Sequence, residues 1–580
     1  MSRIKALRSW GILRLSVLYR KNIFILFFIS FFSSAFLLFG PYLSKLFIDN
    51  SFLNKDLNAF IKFSVIGAAI FLFSTIFGII ENIVKNRINV KIKLKLAEKF
   101  IRKYYSLDLK AIQSKSSGEN IYRIANIEML SRFIVWDLPR ILVDIVKLPI
   151  ILGISFFVSV RVTVCLVVLS PLFLLRSFYI RRKLRPIHEE IWRSGAKMAK
   201  RIHESFSRIL IIKAFGLEVY EARSYVRLLI NYIRKSIESF RWSIASSVSS
   251  TFLSKAVYGG ISLYGGWLII KGKLSLGSYT AVMLYLTQLG NLLLSISNNL
   301  EYFIQESVTI DKFFEVIDYQ PRIIDYPAAR AVKRLDGKIS FKNVYFGYEE
   351  GRPVIKGINL EIPAGLWVGI VGPSGCGKTT FVNLILRLYE IWNGEILLDN
   401  LDLRTITLDS LKDRIAIATQ EPLLFDLSIK ESIVYGLSRI AQEQIEEVAK
   451  TVQIDDFISG LPDGYDTLIG ENACFLSQGC KQRIALARAV IRNPDILILD
   501  EAMSSMDSII ENKILEGLRT TRAGRSTIII SHRLSSIKDA DRIYFFGPDG
   551  HIEYGTHREL MARNNLYIKF FQNQIETNAR

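Results

Sequence analysis

The stretch "GPSGCGKTT", residues 372–380, sets glycines, a lysine and two threonines in the spacing G-x-x-x-x-G-K-T. It follows an apolar run, "LWVGIV", and precedes the helical pattern "FVNLILRLYE". A strand–loop–helix context of this kind is predicted to cradle phosphates, and it makes a chance glycine-rich turn a poor explanation. The glycines let backbone N–H groups turn toward phosphate oxygens at a helix start, Lys378 lays a cation on the β/γ-phosphates, and Thr379 offers a hydroxyl to Mg²⁺. Gly372, Pro373, Ser374, Gly375, Cys376, Gly377, Lys378, Thr379 and Thr380 are the expected nucleotide contacts. Downstream, "ILILDE" places Asp500 at the end of an apolar strand, facing the metal shell, with Glu501 next to it to polarise an attacking water. "STIIISHR" repeats the pattern and puts His532 where a γ-phosphate would lie. A strand-end acidic pair or a lone histidine is ordinarily structural; the phosphate loop upstream gives these a catalytic reading.

Strands must hold these groups. From residue 338 onward short apolar runs ("KISFKNVYFGY", "LWVGIVG", "IAIAT", "ILILD", "STIIIS", "RIYFF") alternate with helical patterns. That alternation predicts a mostly parallel sheet with its chemistry at the strand ends.

The first part of the chain is different. Half of the 580 residues are apolar, 22% are charged, and the net charge is +21. Residues 1–330 hold 46 Lys+Arg and 21 Asp+Glu, a surplus of 25 positive charges; the remaining 29 and 33 leave residues 331–580 at −4. The basic part is also the apolar part, which points to a membrane protein with basic cytoplasmic flanks rather than to nucleic acid. Six stretches, about 22–43, 60–83, 139–159, 162–181, 244–270 and 277–299, reach the roughly 20 helical residues that cross a bilayer. Short links join them in pairs, while the long basic segments 84–138 and 182–243 place Lys and Arg on one side. That side is expected to be the cytoplasm, with the chain in the cell (inner) membrane and both its N-terminus and its strand-rich part cytoplasmic. The basic N-terminal segment reads as an interfacial helix without a cleavage site. Four cysteines without a CxxC read as reduced thiols. The expected organisation is a transmembrane domain at 1–325, a linker at 326–337 and a nucleotide-binding domain at 338–580: an all-α six-helix domain followed by an α/β P-loop domain.

With these motifs in order, the region from 338 onward resembles the cassette of the ATP-binding cassette (ABC) transporters, and the whole chain resembles an exporter-type half-transporter, similar in layout to bacterial lipid A and multidrug exporters. The resemblance implies that Tyr348 stacks on adenine and that Gln420 of "IAIATQEPLLF" reaches Mg²⁺ and the attacking water. It implies too that "SSMD" contributes Asp507 to a D-loop. "SKSSGENIYRIANIEML" and "ESFSRILIIKAFGLEVYEARSY" resemble coupling-helix regions. The absence of a preceding peptidase domain disfavours exporters that trim leader peptides. ATP and Mg²⁺ are the implied cofactors. The implied partners are a second half-transporter chain, membrane lipids and an amphiphilic substrate: a lipid, a lipid-linked glycan or a hydrophobic drug. A peptide exporter and an ATP-gated channel on the same scaffold are the alternatives.

"FLSQGCKQR" (475–483) resembles the family signature, usually LSGGQ, with Ser477 and Gly479 kept, Gln478 in place of a glycine and Cys480 in place of the glutamine. Ser477, Gln478 and Gly479 are expected to cover the other chain's nucleotide, and Cys480 to loosen the loop. Cys376 and Cys480 are both expected at nucleotide contacts, where ATP would protect them from alkylation. The partner is either a copy of the same chain, which is preferred, or an unequal one. Ionisable residues inside spans mark functional sites or local pairs. Asp144 and Lys147 are spaced to pair on a helix, and Arg176 to snorkel. The sharper expectation is a basic cavity of Lys147, Arg176 and Lys255 for an amphiphile with an anionic head.

Overall fold

The computed structural model describes residues 14, 17–114, 116–158, 160–470, 475–547, 551–563 and 566–571. Two compact units form, one of Met1–Leu107 and Ala111–Gln320, the other of Asp108–Lys110 and Pro321–Arg580. The basic N-terminal segment before residue 14, Glu471–Cys474, and the side chains of Cys165 and Arg176 lie outside the described residues.

The first unit is helical. Its long helices are α1 (Arg20–Leu38), α2 (Leu57–Tyr105), α3 (Leu138–Val158), α4 (Val160–Ser207), α5 (Glu218–Ile270) and α6 (Leu276–Ile317). At 1.5 Å per residue α2 is about 74 Å long, more than twice the roughly 30 Å of a hydrocarbon core. Among the described residues three stretches contain an apolar run long enough to span: Arg20–Phe52, Leu57–Tyr105 and Leu276–Ile296. The first is not one helix, as 22–43 was expected to be. It breaks at Phe39 and resumes as Gly40–Phe47, followed by a π-helical turn at Ile48–Phe52. Pro41 stands in the first turn after the break, where a missing N–H and a restricted preceding residue interrupt a helix. Local caps set the ends. Asp56 accepts from the N–H groups of Asn58 and Ala59 (2.9 and 3.2 Å) at the start of α2. Ser275 caps α6 by accepting from Ser278 N (3.0 Å), while Asp49 accepts from Gly277 N (3.0 Å). Ile92, Leu96 and Phe100 of α2 pack with Ile310 and Phe313 of α6 around Phe133–Val135 in one buried cluster.

The second unit has two sheets. β1 (Ile339–Phe346), β2 (Ile355–Ile362), β4 (Asn393–Leu398) and β5 (Leu401–Asp402) form an antiparallel sheet in the order β2-β1-β4-β5. The other sheet runs β10-β9-β3-β8-β7-β6: β3 (Trp367–Val371), β6 (Ile415–Ala418), β7 (Ile496–Asp500), β8 (Ser526–Ile530), β9 (Arg542–Phe546) and β10 (Ile552–Gly555). It is parallel except for β10, which pairs antiparallel with β9. β3 and β8 are buried at every position, as strands covered on both faces must be, which is why they read as continuous apolar runs. The antiparallel sheet has no such run in β2 or β4, and the sequence pattern passed over both. Central register pairs Ile370 with Ile530 and Asp500 with Ile530, so the carboxyl ends of β3, β7 and β8 lie level. Ligands of open α/β sheets bind off these ends.

Candidate nucleotide site

The loop after β3 closes tightly on the sheet. A Cβ at Gly372 would stand 2.3 Å from the carbonyl oxygen of Phe546, so only glycine fits. Gly377 adopts φ +102° and opens helix α7 (Lys378–Ile385), whose first N–H groups receive no side-chain cap. Uncapped amides at a helix start are the groups an anion needs. Lys378 is buried and its ammonium donates to the carbonyls of Gly372 (2.8 Å) and Pro373 (3.0 Å), which holds the charge inside the loop. Cys376 is half-buried, with Sγ 3.8 Å from that ammonium. Thr379 is exposed. Thr380, expected at the nucleotide, is buried like Lys378 and shares a hydrogen bond with the hydroxyl of Tyr348 (3.1 Å). Tyr348 is further fixed edge-on against Phe346 and Tyr389, leaving part of its ring exposed for stacking.

Off β7, Glu501 takes a left-handed backbone, φ 49°, and its N–H donates to Ile530 O (2.9 Å). Its carboxylate is gripped from both sides: Gln420 Nε2 donates to Oε2 at 2.7 Å, and His532 Nε2 lies 2.9 Å from Oε1. Burial, and then the Lys378 charge, hold the His532 imidazole below its usual range against the pull of Glu501. The ring is therefore neutral at pH 7, and the tautomer with hydrogen on Nε2 satisfies the contact. Asp500 is pushed upward by burial and by neighbouring Glu501, with Lys378 only partly offsetting them. A carboxylate short of positive charge, beside free helix-start amides, fits a metal–phosphate ligand.

The signature loop holds together better than its letters suggest. Ser477 caps helix α8 (Gln478–Val490), its Oγ accepting from Cys480 N (3.2 Å). Gln478 is exposed and Gly479 half-buried. Cys480 corrects the expectation placed on it. It is 5% exposed, packs in the hydrophobic core and accepts from Arg483 Nη2 (3.3 Å), so it is neither a nucleotide contact nor an accessible thiol. Sequence reasoning also missed Gln482. It is 1% exposed, donates to Gln420 O (3.3 Å) and Ser504 Oγ (3.1 Å), and accepts from Ser505 N (3.0 Å). One buried amide thus ties the loop after β6 that holds Gln420, the turn after Glu501 and the signature helix. Arg533 adds donations to Ser504 O (2.6 Å) and Met506 O (2.9 Å) and an ion pair with buried Glu511 (3.3 Å). No sequence signal marked Gln482, which stands between Lys481 and Arg483 in the polar first turns of α8. Asp507 is exposed at the start of helix α9 (Ser508–Thr521).

The second unit also claims Asp108–Lys110. Leu109 packs on its core, Asp108 accepts from Arg322 N (3.0 Å), and Lys110 donates to Tyr348 O (3.2 Å). These residues precede the coupling region expected from "SKSSGENIYRIANIEML", which forms the helices Ser117–Ala125 and Ile127–Arg132 of the first unit.

Of the substrate candidates, Lys147 lines a cavity of about 700 Å³ in the helical unit, whereas Lys255 is exposed and is not part of its wall. Asp144 accepts from Ser295 Oγ (2.7 Å), and no ion pair with Lys147 forms among the described residues.

Residues 23–293 match the family model described as ABC transporter transmembrane region, and residues 355–504 match the model described as ABC transporter. The chain is 34% identical over 421 residues to an ATP-dependent lipid A-core flippase of Syntrophus aciditrophicus (strain SB), covering 73% of this chain and 70% of that protein. It is 32% identical over 483 residues to a provisionally named multidrug export ATP-binding/permease protein of Staphylococcus aureus (strain bovine RF122 / ET3-1), covering 82% and 83%. A bacterial Atm1-family ABC exporter solved with ATP bound superposes with a TM-score of 0.89 and 27% identity, over 96% of this chain and 99% of that one.

Proposed function

The chain belongs to the ABC transporter family, an ATPase whose hydrolysis drives export through a membrane-embedded helical domain, and from that premise we propose that two copies of it export or flip an amphiphile by alternating access. In this reading residues 1–325 carry the substrate, 326–337 link, and 338–580 bind ATP on the cytoplasmic face of a cell membrane. Lipids and hydrophobic drugs are the substrate classes favoured by the names of its relatives.

The observation that carries the mechanism is the double grip on Glu501 by Gln420 and His532. It aims a carboxylate off the end of β7 so that it accepts the proton of a water attacking the γ-phosphate. Neutral His532 keeps that carboxylate oriented. Lys378 and the α7 amides hold the β/γ-phosphates, and Tyr348 offers its ring to the base. Thr379, Asp500 and Gln420 are the residues that would hold Mg²⁺, which supplies positive charge to the phosphates when bound. The loop Ser477–Gly479 of the second copy covers each nucleotide, with a Ser hydroxyl and helix-start amides as donors. Asp507 faces the same junction.

The test is the ATPase activity of the chain purified alone and reconstituted in lipid. Steady turnover lost in Glu501→Gln supports two equal copies; inactivity until a different chain is added would replace that arrangement with an unequal pair.

A further inference from the structure

The cavity in the helical unit is not simply basic. Four cations reach its wall (Lys85, Arg132, Arg140 and Lys147), but so do three carboxylates (Glu81, Asp137 and Asp144), leaving a surplus of one positive charge. Two of the carboxylates are already satisfied. Glu81 accepts from Lys85 (2.5 Å) and Ser30 Oγ (2.6 Å), and Asp144 accepts from Ser295. Lys85 is in turn covered by the ring of Trp136, 5.1 Å away. What remains is of both signs. Arg132, Arg140, Lys147 and Asp137 make no hydrogen bond or ion pair among the described residues. Asp137 ends a π-helical turn, Phe133–Asp137, just before α3. It lies within electrostatic reach of Arg132, Arg140 and Lys85 on the same wall, and of Glu306 on α6, which is not part of that wall.

Unpaired charges in a site that closes during transport are costly, and a ligand that supplies the missing partners removes the cost. The site therefore selects for a head carrying both signs. A polyanionic head would meet Asp137 with like charge, and a purely cationic one would meet Arg140 and Lys147. Asp137 and Arg140 are three residues apart, about 4.5 Å along the helix axis, on one face. That spacing suits a head whose ammonium and anion are joined by a two-carbon bridge.

We propose that this cavity is the recognition site for a zwitterionic head group, its ammonium against Asp137 and its phosphate or carboxylate against Arg140 and Lys147. The proposal rests on the export reading above, and its test is a binding measurement that needs no ATP turnover, so the two can fail separately. The detergent-purified full chain is titrated calorimetrically with dihexanoyl phosphatidylethanolamine, dihexanoyl phosphatidylglycerol and free phosphoethanolamine. The ethanolamine lipid is expected to bind at least fivefold more tightly than the glycerol lipid. Asp137→Asn is expected to bring that ratio to about one or below, Asp137→Glu to keep it, and Arg140→Gln with Lys147→Gln to weaken both lipids. Free phosphoethanolamine binding as well as the lipid would support the same site with a soluble zwitterion as its ligand, while binding of the lipid alone would assign it to a lipid. Equal or tighter binding of the glycerol lipid, a ratio unmoved by Asp137→Asn, or no binding of any probe would overturn the proposal.

Discussion

Gln482→Leu isolates the role of one buried amide. Leucine has similar bulk, so the core around α8 stays filled while all three hydrogen bonds are lost: to Gln420 O at 3.3 Å, to Ser504 Oγ at 3.1 Å and from Ser505 N at 3.0 Å. A neutral hydrogen bond contributes about 1 kcal/mol net, and the long one less. Ser505 and Gln420 are exposed, so water takes over their freed backbone groups and no full desolvation penalty is added. The loss is therefore about 2 kcal/mol, felt as disorder of the Gln420 loop and of the turn after Glu501 relative to the signature helix. Since 1.4 kcal/mol is tenfold, kcat for ATP should fall about thirtyfold. The phosphate loop is untouched, so the affinity for a fluorescent ATP analogue should change less than threefold. Gln482→Glu keeps the acceptor for Ser505 N and should fall between the two. The assay is steady-state ATPase in liposomes, with thermal unfolding of the same samples to show that the unit still folds. A kcat within twofold of the parent chain, or a raised KM with kcat unchanged, would refute the argument that Gln482 aligns these loops.

Further expectations concern the thiols, the arginine beside His532 and acid pH. A maleimide should label Cys376 and lose that label when ATP is present, whereas Cys480 should stay unlabelled until denaturant is added; mass spectrometry of the labelled peptides reads both. Arg533→Ala removes donors from the Ser504 and Met506 carbonyls and leaves the Glu511 carboxylate, which is 1% exposed, held by the Ser536 hydroxyl but without its cation. Leaving such a charge unpaired costs about 3 kcal/mol, so thermal unfolding of the cassette should shift down by several degrees, and Glu511→Gln added to Arg533→Ala should recover part of the shift. Because the folded protein holds the His532 pKa below its ordinary 6.5, the ring stays neutral down through that pH. Proton uptake by the unfolded chain then lowers stability only as pH falls below about 6.5. ATPase activity should accordingly be flat from pH 8 to 6.5, and an acid limb in kcat with a midpoint above 6.5 would contradict a neutral His532.

The sequence by itself determined the chemistry and the class of architecture. Phosphate-loop spacing and strand-end acids depend on neighbours along the chain: Gly377 with Lys378, Asp500 with Glu501, and the all-apolar β3 and β8 that must be buried on both faces. The apolar, basic first part announced a membrane domain for the same reason, since span length and flanking charge are properties of contiguous residues. What depended on distant partners was not legible. Cys480 looked like a surface change in a signature and is a core residue. Gln482 drew no notice because its three partners come from segments 22 to 62 residues away. The expected Asp144–Lys147 pair gave way to Ser295, from another helix. Helical packing likewise decided that Lys147 lines a cavity with Asp137 while Lys255 is exposed and outside its wall. A residue's type and spacing fix which bonds it is able to make; only folding decides which groups arrive within 3 Å to make them.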